Sequence, residues 1–359
     1  MELKRSTTRR DFIKSTGKVA LALGATALIP SCGMKIIREP EDISTIKFDI
    51  DDNPDKINLP KNGCAIGFHG LWERKPSDWN PKKDNAPKFL LNTYKNQIGH
   101  VPAILTRYSA YSDMMMLFPA TFVHDVAESE VIPFVYMSIL APLKEYGSLS
   151  GLIDNLKFRQ ETQNYAQGLI DLGQKAFICT MREINIETHP WTRQPRNDVK
   201  RLWRQMHNDF EEVGANKYAT WIYEPSTMVS QNYGKSTMFY YPGDEYVDYI
   251  GWSGYSRRDL GHMSFEELFG RAYDYCRDEL PHKAQMIAEF GRTRDEKDSQ
   301  AKWLIDAFKT LKQMPAVQAA IYWNNANPAK RDDKTLSSQS SEVYKHMMDE
   351  GYFYGTYRK

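Results

Sequence analysis

Cysteine is scarce in this chain, with four in 359 residues, too few for a disulfide scaffold. Charge of one sign is also missing: 47 basic against 46 acidic residues leave a formal net charge of +1. No overall field recruits nucleic acid, and no nucleic-acid partner is expected. No run beyond the N-terminus reaches the roughly 20 apolar residues of a membrane span. The eight histidines form neither an HExxH motif nor a paired Cys/His spacing, so no metal and no cofactor is expected. A GxSxG elbow is lacking, which argues against a serine-triad hydrolase. Aromatic residues are plentiful: 16 Phe, 21 Tyr and 8 Trp exclude disorder for most of the length.

Residues 1–31 form an address rather than a fold. Thr8-Arg9-Arg10-Asp11-Phe12-Ile13-Lys14 resembles a twin-arginine export motif, and an apolar, small-residue run follows from Val19 to Ile29. The run ends Ile29-Pro30-Ser31-Cys32, which resembles a bacterial lipobox with Cys32 as the lipidated residue. The expectation is a lipoprotein held to a membrane through Cys32, exported by the twin-arginine route to the periplasm or the cell surface. The segment carries six basic and two acidic residues, leaving the rest of the chain near −3. Residues 32–60 read as a tether and N-terminal cover, and 61–359 as a single folded domain. Cys64, Cys179 and Cys276 sit in apolar surroundings and are expected as buried, unpaired thiols.

Eight short apolar runs recur at 64–68, 103–107, 131–138, 176–181, 218–223, 247–252, 285–290 and 318–323. Continuous runs suit strands buried on both faces of a parallel sheet. The segments between them have helical period: Leu202, Trp203, Met206, Phe210 and Val213 make one stripe, and Trp303, Leu304, Ala307, Phe308 and Leu311 another. Eight strand-helix units predict a (β/α)8 TIM barrel as one domain, expected as a monomer. A doubly wound open sheet is the alternative, but no glycine-rich phosphate loop follows the first run. In a barrel, chemistry collects where strands end.

Two apolar runs there deliver a carboxylate: the fourth leads into Met181-Arg182-Glu183-Ile184-Asn185, and the seventh contains Ala288-Glu289-Phe290-Gly291. Such a placement is costly unless the group is paired or used. MREINIETHPW (181–191), YYPGDEYVDYIGWSGY (240–255), MIAEFG (286–291) and AAIYWNN (319–325) together resemble the family 26 glycoside hydrolases. The resemblance implies a retaining, endo-acting β-glycosidase with polysaccharide or oligosaccharide substrates and β-1,4-mannan first among them. It makes Glu183 the general acid/base and Glu289 the nucleophile, with Tyr255 orienting the nucleophile and Trp323 flooring the sugar site. Asn185 fits the asparagine of the strand-four motif. Trp191 and Trp72 are further sugar platforms, and His69, just after the first run, and Arg107, at the end of the second, join them as substrate contacts.

The chain departs from that family at Arg182, where a histidine is usual, at Ile186 for glycine, and at Ser253 for aspartate. A cation beside Glu183 lowers its pKa, which is unhelpful in an acid. Strand alternation predicts that Arg182 points away, toward Glu187, Glu224 or a substrate acid. Arg193, Arg196, Arg257, Arg258, Arg292, Arg294, Lys330 and Arg331 crowd the same loops. They form either a solvated rim of cancelling pairs or a grip on acidic sugars, with Arg257 and Arg292 as its test positions. Alternatives to mannan are mixed-linkage glucan, xylan or an acidic exopolysaccharide. A glycan-binding surface lipoprotein that has lost turnover is the reading from another class.

Overall fold

All eight apolar runs form strands. The computed structural model describes residues 52–69, 87–108, 117–228, 237–295, 299–327 and 332–356. The export motif, Cys32, Trp72, Glu296, Lys330 and Arg331 lie outside the described residues. The strands are β1 (Cys64–His69), β2 (Ile104–Tyr108), β3 (Ile132–Met137), β4 (Ala176–Thr180), β5 (Ala219–Tyr223), β6 (Tyr249–Ser256), β7 (Ala284–Arg292) and β8 (Val317–Tyr322). They pair in sequence order, all parallel, and β8 returns to β1 from Ala65–Ala319 to Phe68–Tyr322. The sheet closes into the (β/α)8 barrel rather than the open alternative.

Around it run α1 (Pro87–Ile98), α2 (Ala120–Ala127), α3 (Leu140–Tyr146), α4 (Leu149–Leu152), α5 (Leu156–Leu172), α6 (Arg196–Glu212), α7 (Phe265–Glu279), α8 (Ser299–Leu311) and α9 (Ser338–Asp349). Local chemistry sets their ends. Ser264 opens α7 with a capping box, its Oγ accepting from Glu267 N–H at 3.2 Å while Glu267 Oε2 accepts from Ser264 N–H at 2.7 Å. Asn155 caps α5, which stops at Gly173 in the left-handed region, φ 61°. Two short strands, β9 (Ala326–Asn327) and β10 (Asp332–Asp333), pair with each other, and β11 (Phe353–Tyr354) lies beside the start of β1.

Alternation along each strand sorts side chains into two layers. Ala65, Ile104, Phe134, Phe177, Ile222, Met286 and Ile321 fill the barrel. Ile66, Leu105, Val135, Ile178, Tyr223 and Ile287 face outward and share one core with the stripes of α6 and α8. Gly67 faces inward, where a Cβ would stand 2.9 Å from both Ile104 and Ile321, so a larger residue overpacks the barrel. Ile57 and Leu59 close the N-terminal mouth: Tyr249 Oη donates to Ile57 O and accepts from Leu59 N–H, each at 3.2 Å. That part of the expected cover is therefore a plug. Cys64, Cys179 and Cys276 are buried and free, as expected.

Candidate active site

The candidate residues gather at the C-terminal mouth, and two backbone irregularities place them there. The first follows β4. Met181 and Glu183 both adopt left-handed conformations, φ 50° and 46°, which cost non-glycine residues roughly 1–3 kcal/mol each and collect at functional sites. They end the alternation, so Arg182 does not point away as predicted. Its Nη1 donates to Glu183 Oε2 at 2.9 Å, and its guanidinium lies 4.8 Å from the centre of the Tyr108 ring. His189 Nε2 lies 3.1 Å from the same Oε2, and Ser253 Oγ donates to Oε1 at 3.3 Å.

The second irregularity is a bulge on β7. Trp252 is level with Ile287, but Ser253 is level with Glu289, so Ala288 is the extra residue. Ala288 faces inward and Phe290 outward; without the bulge Glu289 would face the helices. The bulge turns its carboxyl into the mouth instead. Glu289 is 1% exposed and accepts from the phenols of Tyr108, on Oε1, and Tyr255, on Oε2. His69 Nε2 stands 4.0 Å from Oε1, and the His69 ring centre is 4.1 Å from that of Trp323. Because Ser253 is the strand neighbour of Glu289 and bonds Glu183, one residue pair links the two carboxylates.

A third carboxyl, Glu224, follows β5 and is fully buried. Cys179 Sγ lies 3.6 Å from its Oε2. The three differ in electrostatics. Burial would raise the pKa of Glu183, but the His189 hydrogen bond, the Arg182 charge and Ser253 outweigh it and hold it at about 2. Burial raises Glu289, the Glu183 charge adds to this, and Arg182 with the two tyrosines pulls it partly back. Burial raises Glu224 furthest, helped by Glu289 and Glu183. Burial and Glu289 also raise Tyr255, so its phenol stays a donor.

The raised Glu224 predicts a pH-dependent stability. The unfolded chain loses this proton above about pH 4.5 while the folded chain keeps it, so stability falls as pH rises through that window. Glu224→Gln removes the penalty. Its melting temperature should exceed that of the native chain by a few degrees at pH 8, with the gap closing by pH 4. A gap independent of pH would contradict a neutral Glu224.

Of the expected site residues, the structure brings together Glu183, Glu289, Arg182, Tyr255, Trp323 and His69. It removes others. Arg107 was expected to contact substrate, but it faces outward from β2, its guanidinium 5.7 Å from the Phe122 ring; alternation puts Tyr108 in the site instead. Asn185 is fully buried and holds Ser226, donating to its O at 2.9 Å and accepting from its N–H at 2.8 Å. It fastens the β4 loop to the β5 loop. Trp191, 5% exposed, stacks on His189 with ring centres 4.7 Å apart, so it supports that histidine rather than offering an open platform.

Four of the described rim arginines are engaged. Arg257 pairs with Asp259 at 2.6 Å and Arg294 with Asp333 at 3.6 Å, while Arg196 donates to Phe239 O at 2.6 Å. Arg292 was expected in a top loop but belongs to β7, is 8% exposed and bonds Asp295, Ser256 and Ser299. Neither Arg257 nor Arg292 is poised for substrate. Sequence reading named Glu224 only as a partner for Arg182, and missed as site residues Tyr108, His189 and Lys334, whose Nζ pairs with Asp332 and lies 4.7 Å from the Tyr255 ring centre. Period-two counting from Ile104 could have found Tyr108; the others had no sequence signal.

Residues 180–272 match the family model described as Glycosyl hydrolase family 26. A curated relative, Endoglucanase H of Acetivibrio thermocellus, is 26% identical over 196 residues, which is 51% of this chain; the chain spans 21% of that relative's length. Among solved structures, a ruminal GH26 endo-β-1,4-mannanase superposes with a TM-score of 0.59 at 13% identity, covering 88% of this chain and 71% of that one. A GH26 β-mannanase from Bacteroides ovatus gives 0.57 at 12% identity, covering 82% and 91%. The β-mannanase of a symbiotic protist of the termite Reticulitermes speratus, complexed with gluco-manno-oligosaccharide, gives 0.57 at 14%, covering 87% and 98%. These likenesses establish the fold, and the matched segment, which runs from the end of β4 into α7, is similar to the family 26 glycosyl hydrolases.

Proposed function

We propose that the chain is a retaining, endo-acting glycoside hydrolase of the family 26 kind, acting on a β-linked polysaccharide with a β-1,4-mannan backbone. One observation carries the reading: glutamates at the ends of β4 and β7 converge on one mouth, linked through Ser253. Glu289, oriented by Tyr108 and Tyr255, attacks the anomeric carbon and forms the glycosyl-enzyme. Glu183 protonates the departing oxygen, then as a carboxylate takes a proton from the attacking water. Retention by this route wants the carboxyl groups about 5–5.5 Å apart. Trp323, half-buried between His69 and Tyr255, offers an aromatic face to the sugar. The twin-arginine motif and Cys32 support an exported lipoprotein.

The test uses 2,4-dinitrophenyl β-mannobioside, whose leaving group needs no proton. The first-formed mannobiose, followed by NMR, should be the β-anomer, and an α-anomer would overturn retention. A second reading, a glycan binder without turnover, is favoured by the donors already seated on Glu183 Oε2. Binding of manno-oligosaccharide with no release of dinitrophenol would select it.

A further inference from the structure

A general acid must carry a proton, yet Arg182 and His189 occupy Oε2 of Glu183 and Ser253 occupies Oε1. Arg182 also borders a small cavity between the ends of β3 and β4, lined by Tyr108, Tyr136, Ser138, Cys179 and Trp191 among others. Among the described residues lining it, Arg182 is the one charged group. Its room, about 20 Å³, suits a water or a carboxylate and not a sugar ring.

We propose that this cavity receives a carboxylate carried by the sugar, so that the substrate is an acidic β-glycan whose own carboxylate takes Arg182 over from Glu183. The inference rests on the glycosidase reading and names its substrate class. A guanidinium fork grips a carboxylate in bidentate fashion, and Arg196, Arg257, Arg292 and Arg294 are engaged elsewhere, so among the described residues Arg182 is the guanidinium placed beside Glu183. The exchange balances in charge. The substrate carboxylate replaces that of Glu183 at Arg182, and Glu183 takes one proton from solvent. The charge of Glu289 from β7 then favours its neutral form, with the neutral Glu224 of β5, Tyr255 of β6 and Tyr108 of β2 nearby; His189 and Ser253 remain as its partners. The proton so gained is the one the leaving oxygen needs. A neutral glycan leaves Arg182 where it is and Glu183 ionised.

The experiment compares β-1,4-mannan with the same polymer oxidised at C6 to the uronate, at pH 7, scoring new reducing ends. The oxidised polymer should show a kcat/KM roughly tenfold higher or more, the scale of one charge-assisted hydrogen bond. Arg182→Gln should abolish the preference from both sides, slowing the oxidised polymer and speeding the neutral one. Calorimetry with the native protein and sulfur-linked, uncleavable C6-oxidised mannohexaose, in phosphate and in Tris, should show uptake of close to one proton, and its neutral counterpart none. Equal or faster cleavage of plain mannan, with Arg182→Gln lowering both polymers alike, overturns the inference and leaves the glycosidase reading intact. Failure to release dinitrophenol from the aryl mannobioside overturns that reading and the inference with it.

Discussion

Glu289→Ala should lower kcat on 2,4-dinitrophenyl β-mannobioside by roughly 10⁴-fold or more, the scale seen when a covalent nucleophile is removed, while manno-oligosaccharide still binds. The size follows from the role: without the carboxylate no glycosyl-enzyme forms, and the remaining groups only position the sugar. The space left beside Tyr108 and Tyr255 admits a small anion, so azide should restore turnover, giving the α-glycosyl azide by direct displacement. The stereochemistry makes the assignment strict. Wild-type activity in this variant, or a β-azide product, would falsify Glu289 as nucleophile.

Glu183→Ala should separate substrates by leaving group. On unactivated oligosaccharides kcat/KM should fall by roughly 10²–10⁴, the usual contribution of a general acid. With dinitrophenolate leaving, formation of the glycosyl-enzyme should barely change, because that group departs unprotonated. Its breakdown should slow for want of a base, so dinitrophenol appears as a burst and KM drops. Azide should here yield the β-glycosyl azide, opposite to the product of the Glu289 variant. An equal loss on both substrates would instead mean that Glu183 only shapes the site. The low pKa in the free protein, about 2, keeps Glu183 ionised; the acid role needs a proton taken from solvent when substrate binds.

Much of the barrel was legible because strands buried on both faces cannot hide their composition. Each of the eight apolar runs had to shed water from two sides, and each is a strand of the closed sheet. The stripes on α6 and α8 were as plain, since a helix with one dry face repeats at 3.6 residues. The two glutamates stood out for the converse reason: charge at the end of a dry run is costly unless used.

Period-two counting failed where the backbone broke its period. It put Arg182 on the wrong side of β4, because two left-handed residues flank it. It would have turned Glu289 outward, because the bulge at Ala288 depends on a register shift against β6 that no local pattern announces. At the end of β2, alternation turns Arg107 toward Phe122 and Tyr108 into the mouth. Glu224 and His189 reach the site from separate loops, and only the closed sheet brings those loops to one mouth.

What the sequence by itself determined is the layer each apolar residue occupies, and hence a barrel of eight strand-helix units with carboxylates at the ends of β4 and β7. The folded structure alone decided which charges meet. Arg182 on Glu183, two tyrosines on Glu289 and a dry carboxyl at Glu224 are contacts between residues 34 to 181 positions apart or pairs turned by local strain. Hydrophobic burial is additive and local enough to read along a chain. Electrostatics in a dry mouth depends on distances of a few ångströms between strands, and those exist only once the sheet has closed.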